Sequence, residues 1–158
     1  MPLIVNLRHV EERTVALKGE LPVDELDMDV RDEMIRVTRP MRYDIEIQKL
    51  DRGLLVRGSL QLTLECQCVR CLKPFTRKLE LNPWTCHLPL EGEERVIVVD
   101  DCADLTPFAR EDMLLELPQH PLCKPDCRGL KGIKTGEPRK IASEIAPAAW
   151  VKLNKLKL

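Results

Sequence analysis

The sequence predicts an α+β fold: an antiparallel β-sheet or partly closed barrel of about five to seven strands, with helices at the C-terminal end. Three observations point to it. Segments of alternating apolar and polar residues fill the chain before residue 100, and helical spacing appears only after it. The two clearest alternating segments, Met41–Gln48 and Leu54–Glu65, flank Asp51-Arg52-Gly53, which carries the glycine a hairpin turn favours. No segment shows the strand–helix–strand rhythm of a parallel sheet.

In chain order, Leu3, Val5 and Leu7 alternate and predict a first strand; Val15 and Leu17 predict a second, ending at Gly19. Residues 21–40 begin acidic and loop-like, and Val30–Thr38 fits either a short helix or a strand. Met41, Tyr43, Ile45 and Ile47 then face away from Arg42, Asp44, Glu46 and Gln48. The strongest strand places Leu54, Val56, Gly58, Leu60, Leu62 and Leu64 on one face. Cys66 continues that face, so it reads as a small buried hydrophobe. Phe75, Leu79 and Leu81 predict a returning strand, with Trp84 following Pro83. Val96-Ile97-Val98-Val99 is a continuous apolar run, which predicts a strand buried on both faces.

Thr106-Pro107 predicts a helix start, with the hydroxyl as N-cap and proline at the first helical position. Leu105, Ala109, Met113 and Leu117 form its buried stripe, and Pro118 ends it. Residues 118–140 read as a Pro/Gly/Lys-rich loop. A last helix is expected from Pro147, with Trp150, Leu153 and Leu156 on one side. The organisation is a single domain: a mainly β body over residues 1–127 and a basic arm with a short helix over 128–158.

Composition narrows the function. The chain has 158 residues, 44% hydrophobic and 32% charged, which is a folded rather than a disordered composition. No apolar run approaches the roughly 18–20 residues of a membrane span. Residues 1–10 lack the pattern of a secretory signal, so a cytoplasmic location is expected, with no membrane partner. At 3% aromatic residues, a base-stacking platform is poorly supplied.

The net charge of −1 hides an asymmetry. Residues 128–158 hold eight Lys/Arg and two acids and carry +6, while residues 1–127 carry −7. Lys131, Lys134, Arg139, Lys140, Lys152, Lys155 and Lys157 are the candidate nucleic-acid-binding residues, because clustered cations displace counterions from phosphates. The same charges also fit a solvated tail pairing with the acidic body. The Gly/Pro-containing stretch that holds Lys131, Lys134, Arg139 and Lys140 buries little apolar surface and is expected to move freely.

Seven cysteines without an export signal argue against a disulfide framework. Cys68-Val-Arg-Cys71 and Cys123-Lys-Pro-Asp-Cys127 have ligand-like spacing. A two-residue spacer lets two sulfurs reach one tetrahedral ion, so Cys68, Cys71, Cys123 and Cys127 are the candidate ligands of a structural Zn²⁺ at roughly 2.3 Å. Ordinary reduced cysteines are the plainer reading. A thiol-redox role for Cys68 and Cys71 would need a βαβ context that the flanks do not offer. His9, His87 and His120 sit in separate segments and assemble no catalytic triad or dyad; no enzyme and no small-molecule substrate are expected.

The stretch Leu64-Glu-Cys-Gln-Cys-Val-Arg-Cys-Leu-Lys-Pro-Phe75 resembles the YceD family, the large ribosomal RNA subunit accumulation proteins. Three further stretches follow in the family's order. They are Asp104-Leu105-Thr106-Pro107 with Leu114-Leu-Glu-Leu-Pro118, then Pro121-Leu-Cys-Lys-Pro-Asp-Cys-Arg-Gly-Leu130, then Trp150-Val-Lys-Leu-Asn-Lys-Leu156. The resemblance implies a non-enzymatic role in the synthesis, processing or stability of large-subunit (23S) ribosomal RNA, through that RNA or a ribosomal protein. Many members carry a further Cys-x-x-Cys downstream, where this chain has Lys131 and Lys134. Either Cys123 and Cys127 complete a site with Cys68 and Cys71, or the metal has been lost. The alternatives are a zinc-stabilised protein-interaction module without RNA contact and, third, a thiol oxidoreductase.

Overall fold

The computed structural model describes residues 2–130. Two antiparallel sheets share one core. The larger is organised by β5 (Gly53–Gln67), which pairs along its whole length with β6 (Pro74–Pro89). The other edge of β5 is divided. Residues 53–61 pair with β4 (Met41–Leu50), and residues 64–66 with β3 (Ile35–Val37). β2 (Val15–Leu21) lies outside β4. The smaller sheet has the order β1 (Ile4–Asn6), β8 (Cys102–Asp104), β7 (Val98–Val99). All these pairings are antiparallel. The expected sheet is present, curled into a half-barrel, but helix is scarcer than an α+β label implies.

The alternation read from the sequence is the alternation observed. Leu54, Val56, Leu60, Leu62, Leu64 and Cys66 of β5 are buried, as are Met41, Ile45 and Ile47 of β4. Burial pushes the Cys66 thiol up from its usual range, in keeping with its role as core filling. The outer faces carry exposed cross-strand pairs, such as Arg42 Nε–Glu20 Oε1 at 2.9 Å, which contribute little individually.

Two irregularities in the large sheet have chemical causes. Between Gly58↔Trp84 and Leu60↔Leu81 the register shifts by one residue, with Asn82-Pro83 opposite Ser59. Proline has no N–H to give to the ladder, so it sits where pairing lapses. The bulge reverses the phase of β6: Phe75, Leu79 and Leu81 turn inward before it, Trp84 and Leu88 after it. At Gly58 the backbone has φ +155°, and a Cβ would lie 2.1 Å from the Asp44 carbonyl oxygen.

Several elements depart from the sequence reading. Leu7 does not prolong the first strand; it begins α1 (Leu7–Glu12), capped by Asn6, whose Oδ1 accepts from Arg8 N–H at 3.0 Å. A single turn, α2 (Val23–Leu26), lies in the acidic stretch, so helix is not confined to the chain after residue 100. Asp51-Arg52 alone form the β4–β5 turn, because Gly53 already pairs with Leu50. The run 96–99 is not buried on both faces. Only Val96 is buried; Ile97, Val98 and Val99 are exposed at the edge of the small sheet. Asp100 and Asp101, both with positive φ, make the two-residue turn that leads into β8.

α3 (Thr106–Leu115) forms where expected, and Leu105, Ala109 and Met113 are fully buried. Thr106 is not its N-cap, however. The cap position is Leu105, and the Thr106 hydroxyl instead accepts the Leu3 N–H at 2.8 Å, tying β1 to the helix start. Trp84 Nε1 donates to Asp112 Oδ2 at 2.6 Å and fastens α3 to β6. Residues 118–130 follow without regular structure. No helix among the described residues is long and apolar enough to cross a membrane.

Gly58→Ala is expected to cost roughly 3 kcal/mol, because the clash is with the β4 backbone and no side chain can yield. Urea unfolding should show a lowered midpoint with an unchanged slope.

Candidate metal centre

The β5–β6 ladder closes at Gln67↔Pro74, leaving residues 68–73 as a tight loop at the tip of the hairpin. Its backbone bonds inward: Cys68 N–H to the Lys73 carbonyl at 3.0 Å, and Leu72 N–H to the Cys68 carbonyl at 2.9 Å. Leu72, at φ +60°, completes the reversal. Cys68 and Cys71 are thereby turned into the loop, 0% and 8% exposed.

The second half comes from the stretch after α3. Cys127 N–H donates to the Lys124 carbonyl at 3.1 Å, a turn that brings Cys123 and Cys127 to one side. Two bonds join this stretch to the hairpin tip. Val69 N–H donates to the Pro121 carbonyl at 3.0 Å, and Arg70 Nη1 to the Cys127 carbonyl at 2.9 Å. Gln67 Nε2 braces the tip by donating to the Leu72 carbonyl at 3.0 Å. The sequence reading did not single out Val69, Arg70 or Gln67 as supports of the site. Nothing local reveals the roles of Val69 and Arg70, since their bonds between the loops span more than fifty residues.

All four candidate ligands meet. The Sγ atoms of Cys68, Cys71, Cys123 and Cys127 lie within 4.8 Å of one another, with Cys71–Cys123 at 3.5 Å and Cys68–Cys127 at 3.8 Å. A tetrahedral ion with metal–sulfur bonds of about 2.3 Å needs sulfur–sulfur edges of about 3.8 Å. The cluster fits that requirement without rearrangement of the fold. Of the two alternatives raised by Lys131 and Lys134, the geometry of the first is present: the second cysteine pair reaches the first.

The electrostatics favour a cation. At Cys68 burial opposes ionisation, but backbone hydrogen bonds from Cys123, Cys71 and Arg70 and the bond with the Cys71 thiol outweigh it, and the thiol is pulled down to about 6. At Cys123 the bond with Cys71, burial, and the bonds with Cys127 and Cys68 push the thiol up to about 12. One sulfur readily carries charge while another holds its proton against its neighbours' charge; a shared divalent ion relieves that conflict.

The other sequence-predicted site residues, Lys131, Lys134, Arg139, Lys140, Lys152, Lys155 and Lys157, lie outside the described residues, as do Trp150, Leu153 and Leu156 of the expected last helix. The redox alternative gains no support from context: Cys68-Val-Arg-Cys71 sits in a β-hairpin tip, not in a strand-to-helix crossover.

Cys71→Ser or Cys123→Ser is expected to weaken metal binding at least about a hundredfold in chelator competition, since one of four thiolate donors is lost. Binding should also weaken at least about tenfold per pH unit on acidification from pH 8 to 6. The Cys123 proton, held up to about 12, must be displaced throughout that range.

The model of the family described as "Large ribosomal RNA subunit accumulation protein YceD" matches residues 56–157, from near the start of β5 through the cysteine cluster and beyond. Among curated proteins, an uncharacterized protein of Mycobacterium bovis and one of Mycobacterium tuberculosis are each 30% identical over 95 residues, covering 55% of this chain and 46% of theirs. An uncharacterized protein of Mycobacterium leprae is 27% identical over 99 residues, 58% of this chain and 46% of its own. The chain thus spans about half the length of these relatives. No solved structure matches. With the family model covering well over half of the sequence, including the whole hairpin tip and all four clustered cysteines, the chain belongs to the YceD family.

Proposed function

We propose that this protein is a non-enzymatic factor that supports the synthesis, processing or stability of large-subunit ribosomal RNA, working in the cytoplasm. The family match over residues 56–157 carries the reading. Two features of the chain support it. The four-cysteine cluster suits a structural Zn²⁺: four protein sulfurs fill a tetrahedral ion and leave no position for a substrate. The ion's work is to pin residues 118–130 to the hairpin tip. The stretch rich in Lys and Arg follows directly in sequence on that pinned segment.

The partner is large-subunit ribosomal RNA or a ribosomal protein bound to it. Lys131, Lys134, Arg139, Lys140, Lys152, Lys155 and Lys157 supply cations for phosphate. Phosphate contacts position a protein without reading sequence, so little base specificity is expected.

If about four of these cations neutralise phosphates, the affinity for large-subunit RNA should fall with log salt at a slope of roughly −3 to −4. Replacing Lys131, Lys134, Arg139 and Lys140 together with Gln should flatten the slope and leave the melting temperature nearly unchanged. Sedimentation with large-subunit precursors at low and high salt is the direct measurement. An unchanged slope in the variant would remove the arm as the RNA contact.

A further inference from the structure

The small sheet ends in an apolar edge that the described residues leave uncovered. Ile97 is 80% exposed, Val99 63% and Ile4 45%. With Val96 and Phe108 they line a cleft of about 720 Å³ between the sheet and the start of α3. Side chains this apolar, grouped on a free strand edge, mark a contact surface.

Charge identifies what covers it. The segment Glu91–Asp104, which supplies β7 and β8, holds six acids and one arginine on the two sides of the apolar run; Asp100, Asp104 and Arg95 of this set line the cleft itself. Asp101 is taken by Arg8; Glu91, Glu93, Glu94, Asp100 and Asp104 are in no ion pair among the described residues. The complement is an apolar segment interleaved with cations. Residues 150–158 read Trp-Val-Lys-Leu-Asn-Lys-Leu-Lys-Leu, five apolar residues and three lysines with no acid. The twenty steps from Leu130 to Trp150 reach up to about 65–70 Å when extended, more than the width of a domain of this size.

We propose that residues 150–158 dock on this cleft in the same molecule, apolar side chains against Ile97, Val99 and Phe108 and lysines toward Asp100 and Asp104. The contact is independent of whether RNA is the partner. In the RNA reading the docked segment withdraws Lys152, Lys155 and Lys157 from phosphate, leaves Lys131, Lys134, Arg139 and Lys140 for it, and gives that arm a second anchor at its C-terminal end.

The test uses the full chain without RNA. Trp150 fluorescence is taken as the difference between the parent and its Trp150→Phe variant, and acrylamide is the quencher. The expected result is a blue-shifted, poorly quenched Trp150 in the parent at every protein concentration. Ile97→Lys with Val99→Lys, both at exposed positions, should raise the quenching constant several-fold and red-shift the emission, with the melting temperature of the body retained. A Trp150 as accessible as free tryptophan in the parent overturns the proposal, and so does protection that survives the double-lysine variant. Protection lost on dilution places the segment on a second copy and overturns the intramolecular contact. Loss of RNA binding in the Proposed function tests, with this protection intact, would leave the docking standing by itself.

Discussion

Strand β5 is hydrogen-bonded along both edges, and its even-numbered side chains from Leu54 to Cys66 face the core. A slip of one residue against any neighbour would expose that whole face to water, at roughly 1.5–3 kcal/mol for each large side chain turned outward. Register is therefore fixed in β3, β4 and β6 at once. Two glycines make the fixed register sterically feasible: β4 passes too close to Gly58, and the Leu88 carbonyl of β6 too close to Gly53, for any Cβ. The hairpin tip inherits this precision, because Cys68 stands two residues beyond the last core residue of the strand.

The cysteine cluster shows the same economy. Neither loop has a regular element of its own, yet the Val69 N–H and the Arg70 guanidinium, each donating to a carbonyl of the other loop, hold them together. Those bonds place the sulfurs before any ion is considered, and the split in thiol behaviour between Cys68 and Cys123 follows from the crowding.

How much of this was legible in the sequence depends on the range of the cause. Period-two alternation in β4 and β5 and period-four spacing in α3 are local, and they gave the right faces. The clustering of the four cysteines was also legible, because ligand-like thiol spacing reflects a short-range chelation rule. The failures had non-local or very short causes. Val96–Val99 looks buried because apolar runs usually are; only the sheet order reveals that β7 is an edge. Thr106 followed by proline is a reasonable cap, but the orphan N–H of Leu3, about a hundred residues away in sequence, claims its hydroxyl. The bulge at Asn82-Pro83 split one strand into two apparent pieces, because the inward parity changes across it.

The sulfur contacts at 3.5 and 3.8 Å join residues 52 and 59 positions apart. The halves of such a chelate cannot find each other by local search, since closing a loop of that length costs entropy that only the finished sheet and docked α3 repay. In the unfolded chain each pair is a two-thiol ligand; once Pro121 bonds Val69, the second pair stands at high effective concentration beside the first. Four-sulfur coordination of an ion would thus follow, not precede, assembly of the sheet and docking of α3. Its presence in a sample reports that β5, β6 and α3 have already assembled.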